Sequence, residues 1–181
     1  MEKFEEIFSF INEKAEQYEK TEGISFLDGV LQSLEDVLDA NEPWVGQDAG
    51  KEEVRKAIQI AILKGMRKTS QPNHQMTPDT LGLLVGYFVE QFFEAQLKEG
   101  AISVLDPAVG TGNLLLTVMN LLEGKVSATG TEVDELLIRL AADTAELIEQ
   151  PVVLYHQDAL QKMLVDPVDA VVCDLPVGYY P

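Results

Sequence analysis

The sequence predicts an α/β protein in which a helical N-terminal unit precedes a parallel β-sheet of about four strands. Apolar residues recur with the helical period through the first third of the chain. Short apolar strands then alternate with helical segments, which is typical of parallel sheets whose strands are joined by crossover helices. The chain has 181 residues, of which 46% are hydrophobic, so it can bury a substantial core and is not a disordered protein.

The N-terminal unit is predicted to consist of three amphipathic helices. Apolar residues take the helical spacing in three segments: residues 4–18, 26–38 and 52–66. The polar residues 67–73 follow and have the composition of a linker. We therefore expect a helical domain at residues 1–70 and a second domain at residues 71–181.

The second domain is predicted to begin with a long helix. Thr77 would be its N-cap and Pro78 its first helical residue, where the missing N–H is not needed, and it would end near Glu99. Its aromatic residues are expected to pack in the core: Tyr87, Phe88, Phe92 and Phe93. Strands are predicted at residues 101–105, 126–131, 152–156 and 170–173. Helices are predicted between them at residues 113–123 and 134–150.

Charge and composition exclude several classes of protein. The chain has 31 acidic and 13 basic residues, a net charge of -18, and residues 76–181 hold 16 of the acidic but only 4 of the basic residues. This half has no basic stripe for a phosphate backbone, so binding of nucleic acid would need basic surface from other sequence. The acidic N-terminus and the lack of a long apolar run predict a cytoplasmic protein with no membrane partner. One cysteine, Cys173, and two histidines predict no metal site, and Cys173 is expected to be a buried apolar residue of the fourth strand.

The most specific motif is a glycine-bearing turn, residues 106–113, between a predicted strand and a predicted helix. Gly110 and Gly112 allow close backbone approach, and the helix N-terminus offers N–H groups and partial positive charge to a polar or anionic ligand. Glu132 lies 20 residues after Gly112, at the end of the next strand. At this spacing an acidic side chain accepts hydrogen bonds from both ribose hydroxyls of a nucleotide.

Acidic residues follow all four predicted strands: Asp106, Glu132, Asp158 and Asp174. Ligands of open α/β sheets bind at the carboxyl ends of the strands, so these side chains are expected to line one nucleoside site. A pocket of carboxylates repels pyrophosphate and suits a cationic ligand such as S-adenosylmethionine, which has a sulfonium and an ammonium. NAD remains a less favoured alternative, because Leu115 replaces the third glycine of the G-x-G-x-x-G pattern, and a triphosphate site lacks the lysine that follows the glycines.

The sequence resembles the adenine-specific DNA methyltransferases, which use S-adenosylmethionine, and within them the YtxK-like group of Gram-positive bacteria. The resemblance covers roughly residues 52–181. Four segments carry it: residues 74–79, 106–113, 131–134 and 174–181. It implies a Rossmann-like S-adenosylmethionine methyltransferase sheet and an enzyme that methylates the exocyclic amine of adenine, with DNA as its partner.

The resemblance also implies which residues bind the cofactor. Thr77 would contact the methionine end. Glu132 would hold the ribose, Val133 would lie against the adenine face, and Asp158 would meet the adenine amine. The turn after the first strand would cradle the methionine end through a further set of residues: Asp106, Ala108, Gly110, Gly112 and Asn113.

The catalytic motif of this family is Asn or Asp, two prolines and an aromatic residue, and its match begins at Asp174. Asp174 would accept hydrogen bonds from the exocyclic amine of a flipped adenine, beside Pro176. The sequence departs from the pattern at Leu175, which replaces the first proline, and at Val177, which has no ring to stack on the base. Tyr179 or Tyr180 would have to supply that ring. Two alternatives stay open: a degenerate methyltransferase fold that binds cofactor or a partner without catalysis, and an NAD-dependent oxidoreductase.

The length of the chain also differs from the family. Its members continue past the catalytic motif with three more strands and a region that reads DNA, so we expect a truncated form that retains the cofactor-binding half. Whether this chain alone is active stays open. The fourth strand would present an apolar edge at residues 170–173, which a dimer partner or the missing C-terminal half would cover.

Overall fold

The computed structural model describes residues 3–39, 43–68, 76–163 and 165–175. These residues form two compact units, one within Met1–Gln75 and the other within Met76–Pro176. The first unit contains three helices: α1 (Lys3–Thr21), α2 (Phe26–Leu38) and α3 (Lys51–Lys68). All three helices predicted from the apolar spacing are therefore present.

The helices of the first unit pack through their apolar faces. The fully buried side chains come from all three helices and include Ile7, Ile11, Phe26, Leu34, Ile58 and Ile62. The close contact between α1 and α2 depends on Gly29, because a Cβ atom there would lie 2.9 Å from the carbonyl oxygen of Ala15. Ser25 caps α2 by accepting a hydrogen bond from the backbone N–H of Asp28 at 3.1 Å.

The second unit alternates helices with parallel strands. In chain order its elements are α4 (Asp79–Phe92), α5 (Glu94–Glu99), β1 (Ile102–Asp106), α6 (Asn113–Leu121), β2 (Val126–Glu132), α7 (Glu135–Leu147), β3 (Val152–His156) and β4 (Ala170–Val171). The four strands form one parallel sheet in the order β3-β2-β1-β4. The predicted α/β fold with a four-stranded parallel sheet is confirmed.

The register of the sheet sets which residues meet at its carboxyl edge. Asp106 at the end of β1 is opposite Gly130 of β2, and Glu132 at the end of β2 is opposite His156 of β3. On the other side of β1, the carboxylate of Asp169 accepts hydrogen bonds from the Ser103 backbone N–H at 2.7 Å and from its hydroxyl at 2.8 Å. This pair anchors the start of β4 against β1.

The long helix differs from its prediction at both the start and the middle. Thr77 is not its N-cap: Pro78 takes that position, and the helix begins one residue later at Asp79, because the extended Pro78 carbonyl accepts the first helical hydrogen bonds. The helix also breaks at Phe93, whose backbone leaves the helical region with ψ 19°. Hydrogen bonds from Phe93 to Val89 and from Leu97 to Phe93 continue through the break, so α4 and α5 are one distorted helical run.

The aromatic side chains of α4 were expected in the core, and that expectation is wrong. Phe92 is 80% exposed, and Tyr87 and Phe88 are about half exposed. The side of α4 that faces α6 carries Gly82 and Gly86 instead. A helix that packs through glycines brings the two backbones together, and its larger side chains then point away from the contact.

Three elements end earlier than predicted. The crossover helices α6 and α7 end at Leu121 and Leu147, because Glu123 and Glu149 adopt positive φ angles of 40° and 53°. The strand β4 is two residues long instead of four. The Val172 N–H still donates to the β1 backbone, and the chain then turns so that the next side chain approaches the end of β1.

Candidate functional site

The candidate site lies at the carboxyl edge of the sheet. Asp106 and Glu132 are the last residues of β1 and β2, which are neighbours in the sheet. Asp158 follows the end of β3 by two residues, and Asp174 follows the end of β4 by three. The parallel order therefore brings all four acidic residues to the same edge, as the sequence predicts.

Asp106 is the most deeply buried of the four acids, with 1% of its surface exposed. Its carboxylate accepts a hydrogen bond from the backbone N–H of Ala108 at 3.1 Å and a second from the Cys173 thiol. Burial is the main cause that raises the pKa of Asp106 to about 7; the nearby charges of Glu132 and Asp174 act in the same direction, and the two hydrogen bonds oppose it. The carboxyl group therefore changes its charge near neutral pH and would ionise more readily beside a cation.

Cys173 was predicted to be a buried apolar residue of the fourth strand, and this prediction is wrong. The residue is half-buried, lies beyond the end of β4 and contacts the Asp106 carboxylate. Burial raises the pKa of the Cys173 thiol to about 11, and the charge of Asp106 adds to the effect. The thiol therefore stays protonated near neutral pH and can donate to Asp106.

The turn between β1 and α6 is held in a conformation that requires glycine. Gly110 and Gly112 have φ angles of 55° and 82°, in the left-handed region that side chains disfavour. A Cβ atom at Gly112 would lie 3.1 Å from the Leu116 side chain, whereas no atom of the described residues lies within 4 Å of a Cβ position at Gly110. Gly110 thus leaves open space over its backbone, where a ligand could approach closely.

Glu132 connects this turn to the end of β2. Its Oε2 atom accepts a hydrogen bond from the backbone N–H of Gly110 at 2.9 Å. Its Oε1 atom accepts from the N–H groups of Val133 at 2.8 Å and Asp134 at 3.0 Å. A carboxylate oxygen can accept more than one hydrogen bond, so Glu132 can also accept from ligand hydroxyls.

Val133 and His156 form the next part of the edge. Val133 is 61% exposed, so its side chain presents an apolar surface next to Glu132 in the sequence. The Nε2 atom of His156 lies 2.8 Å from the carbonyl oxygen of Val133 and holds that segment against β3. Sequence reasoning assigned no role in the site to His156; the signal that reveals it is its place opposite Glu132 in the parallel register.

Asp158 forms a turn at the end of β3. Its Oδ1 atom accepts a hydrogen bond from the backbone N–H of Leu160 at 2.9 Å. The Leu160 side chain is 93% exposed. Asp158 and Leu160 therefore present one carboxylate and one apolar surface after the end of β3.

Thr77 and Asn113 meet at the N-termini of α4 and α6. The side-chain amide of Asn113 donates to the backbone carbonyl of Thr77 at 2.6 Å and to Oδ1 of Asp79 at 3.2 Å. This contact brings the start of α4 next to the glycine turn. The side chain of Asn113 is directed at the start of α4. The resemblance, by contrast, implies that Asn113 contacts the cofactor.

The structure describes only part of the predicted catalytic motif. Asp174 is exposed at the carboxyl edge. Pro176, Val177, Tyr179 and Tyr180 lie outside the described residues. Within the described ranges, no group of three or more His, Cys, Asp or Glu residues is arranged to hold a metal ion. In the same part of the chain, no helix has the length and apolar character needed to cross a membrane.

The sequence and the fold are both similar to known proteins, although no family model matches the sequence. The Uncharacterized protein YtxK of Bacillus subtilis (strain 168) is 53% identical over 129 residues, which are 71% of this chain and 38% of that protein. A solved structure from Listeria monocytogenes, of a protein assigned to the class I S-adenosylmethionine-dependent methyltransferases, has 41% identity and a TM-score of 0.88. The match covers 99% of this chain and 61% of the Listeria monocytogenes chain.

A more distant structure has the same fold. The methyltransferase subunit of a type I restriction-modification system from Streptococcus thermophilus has a TM-score of 0.60 at 19% identity, over 92% of this chain and 39% of its own. This chain thus spans less than two thirds of each of these proteins. The second unit has the Rossmann-like fold of S-adenosylmethionine-dependent methyltransferases, which confirms the fold class that the resemblance implied.

Proposed function

We propose that this chain is the cofactor-binding part of an S-adenosylmethionine-dependent methyltransferase whose methyl acceptor is the exocyclic amine of adenine in DNA. The hydrogen bond from the Gly110 backbone N–H to Glu132 carries the proposal, because it holds the proposed ribose acceptor next to the glycine turn. The Listeria monocytogenes protein, at 41% identity, supports the class of cofactor.

Open space and negative charge at this edge support the choice of cofactor. The open space over Gly110 admits the close approach of a ligand to the backbone. The carboxyl groups of Asp106, Glu132 and Asp174 are close enough for the charges of the other two to raise the pKa of Asp106. Such a site attracts a cation and repels phosphate. S-adenosylmethionine supplies a methyl group activated by its positively charged sulfur.

Each end of the cofactor has candidate partners among these residues. Thr77 and Asp106 would hold the methionine end, with the Asp106 carboxylate facing its ammonium. Glu132 would accept hydrogen bonds from the ribose hydroxyls, each worth roughly 1.5 to 3 kcal/mol because the acceptor is charged. The exposed side chain of Val133 would lie against the adenine face, and the carboxylate of Asp158 would accept from the adenine amine.

Asp174 is the proposed residue for the methyl acceptor. It is exposed at the same edge as the cofactor residues, so its carboxylate can accept a hydrogen bond from an amine and orient the nitrogen lone pair toward the methyl group. Pro176 and Tyr179 complete the proposed motif. The Streptococcus thermophilus protein, which shares the fold, belongs to a restriction-modification system. With a net charge of -18, this chain has little to attract DNA, so we propose that other parts of the whole protein contact the phosphates.

Calorimetric titration of the chain tests the cofactor proposal. We expect S-adenosylmethionine and its demethylated product S-adenosylhomocysteine to bind to the wild-type chain and to bind much more weakly to Glu132→Ala. NADH is the comparison ligand. Binding of NADH without competition from S-adenosylmethionine would contradict the proposal and support an oxidoreductase.

Transfer of a tritiated methyl group tests the acceptor. The whole protein is incubated with labelled cofactor and one of three acceptors: a DNA duplex containing adenine, the same duplex with N6-methyladenine, and an RNA of the same sequence. We expect incorporation into the first duplex alone, and loss of it in Asp174→Ala. Cofactor binding without incorporation into any acceptor would support a non-catalytic protein of the same fold.

A further inference from the structure

The side-chain amide of Asn113 connects two helices that enter the candidate site. Asn113 is 4% exposed and donates both to the Thr77 carbonyl and to the Asp79 carboxylate. Thr77 and Asp79 flank the N-cap of α4, and Asn113 is the first residue of α6. One buried side chain therefore joins the start of α4 to the end of the glycine turn.

The packing of α4 on α6 places both N-termini at the same edge. Near its start α4 meets α6 through Gly82, where a Cβ atom would lie 3.2 Å from the side chain of Thr117. One turn later Gly86 lies against α6, where a Cβ atom would lie 2.7 Å from the side chain of Leu121. The contacts advance in the same direction along both helices, so α4 and α6 run parallel. Because α6 begins at the carboxyl edge of the sheet, α4 begins there too.

The N-cap residue of α4 makes no side-chain capping hydrogen bond, so the contact with Asn113 adds hydrogen bonds at the start of this helix. Its N-cap is Pro78, whose ring has no hydrogen-bonding group and whose nitrogen has no hydrogen. The glycine contacts at Gly82 and Gly86 set the distance between the helices but not the conformation of the residues before them. The two hydrogen bonds of Asn113 hold Thr77 and Asp79, the residues on either side of the N-cap.

We propose that Asn113 is a positioning residue that holds Thr77 at the methionine end of the cofactor site. The inference rests on the proposed function, in which Thr77 contacts that end. Asn113 itself acts through Thr77 and Asp79, because its amide is directed at them. Its loss weakens the binding of ligands that carry the methionine portion and leaves the binding of the adenosine portion by Glu132 and Asp158 unchanged.

Two ligands separate these two portions in a calorimetric experiment. S-adenosylhomocysteine carries both portions, whereas 5′-methylthioadenosine lacks the amino and carboxyl groups of the methionine portion. Asn113→Asp replaces the donor with a carboxylate that faces Asp79. With two hydrogen bonds lost, we expect the affinity for S-adenosylhomocysteine to fall about tenfold or more, and the affinity for 5′-methylthioadenosine to change by less than about twofold.

A matched variant and a reversed pair provide the controls. Asp79→Asn keeps an acceptor oxygen for Asn113 and is the single-variant reference for the double variant. The double variant Asn113→Asp with Asp79→Asn restores a donor and an acceptor between the two side chains, although not the bond to Thr77. We expect it to recover about threefold of the lost affinity for S-adenosylhomocysteine. A purely structural role for Asn113 would not change the ratio of the two affinities.

Each result supports or overturns the proposal. An unchanged affinity of Asn113→Asp for S-adenosylhomocysteine overturns it, and so does an equal loss for both ligands, which would show that Asn113 supports the site as a whole. If the wild-type chain binds neither ligand, the proposed function fails and this inference fails with it. If the wild type binds both and the variant does not discriminate between them, the inference fails alone.

Discussion

The carboxylate of Glu132 accepts a hydrogen bond from the backbone N–H of Gly110 at 2.9 Å. This contact spans neighbouring strands, because Glu132 ends β2 and Gly110 lies in the turn after β1. The other carboxylate oxygen accepts from two further backbone N–H groups, those of Val133 and Asp134. Three backbone donors therefore fix the side chain before any ligand binds, which lowers the entropic cost of ordering it in a complex.

Replacement of Glu132 by alanine should remove both the proposed ribose acceptor and the partner of the Gly110 N–H. Loss of a hydrogen bond to a charged group costs about 1.5 to 3 kcal/mol, so we expect the affinity for S-adenosylhomocysteine to fall at least about tenfold. Calorimetric titration measures the effect. Glu135→Ala is the matched control, because it removes an exposed carboxylate three residues away. A Glu132→Ala chain that binds like the Glu135→Ala chain would contradict the role of Glu132.

The two glycines of the turn should respond differently to alanine. Both have positive φ, so each substitution strains the backbone by about 1 to 2 kcal/mol. Gly112→Ala also brings a Cβ within 3.1 Å of Leu116, so we expect it to be the less stable of the two variants in urea unfolding. Gly110→Ala adds its methyl to open space, and we expect the larger loss of cofactor affinity there. Equal affinities in the two variants would show that the space over Gly110 is not part of the site.

The sequence was sufficient to predict the elements and the edge where the acids meet. Continuous apolar strands predict a parallel sheet, and the carboxyl ends of parallel strands share one edge, so Asp106 and Glu132 could be placed together from their positions alone. The spacing of apolar residues along α4 could not predict which of its faces is buried. That choice depends on α6, a non-local partner, which packs against Gly82 and Gly86 instead of the aromatic residues.

Two side-chain contacts at the site also could not be predicted from the spacing of residues in the sequence. Threonine is a residue type favoured at N-caps, but the carbonyl of Thr77 instead accepts a hydrogen bond from Asn113, which is 36 residues away in the sequence. Cys173 was expected in an apolar strand, but the short β4 leaves it facing Asp106. Each of these contacts forms between distant segments once the sheet is assembled, and no periodicity within one segment records it.

The N-cap of α7 provides a test of stability that is separate from binding. The Asp134 carboxylate accepts hydrogen bonds from the N–H groups of Leu136 at 2.9 Å and Leu137 at 3.2 Å. Asp134→Ala leaves both donors without this acceptor, so we expect the free energy of unfolding in urea to fall by about 1 kcal/mol. Asp134→Ser keeps a capping oxygen and should lose much less. Equal losses in the two variants would show that the cap does not stabilise α7.

Burial of Asp106 should make the stability of the chain depend on pH. Its pKa is raised from 3.8 to about 7, so the folded state binds the proton more tightly than the unfolded state does. The contribution of Asp106 to stability is then greatest below pH 4 and decreases as the pH rises to 7. Because a tenfold change in proton affinity is worth about 1.4 kcal/mol, the upper limit of this contribution is about 4 kcal/mol. We expect Asp106→Asn to gain stability relative to the wild type between pH 5 and pH 7.5 in urea unfolding, and a constant difference would contradict the buried ionisation.

Cofactor affinity should depend on pH in the opposite direction to this contribution to stability. A cationic ligand favours the ionised form of Asp106, and that form becomes dominant only as the pH passes about 7. We expect the affinity for S-adenosylmethionine to rise between pH 5.5 and 7.5, by up to about tenfold per pH unit below the pKa, and binding to release a proton. Titrations in buffers of different ionisation enthalpy measure that proton.

Asp106→Asn should bind the cofactor more weakly, with no comparable dependence on pH. Asp169→Asn, at the opposite end of the sheet, should keep the wild-type profile. The assignment of the cation to Asp106 would be wrong if the Asp106→Asn chain kept the same pH profile as the wild type.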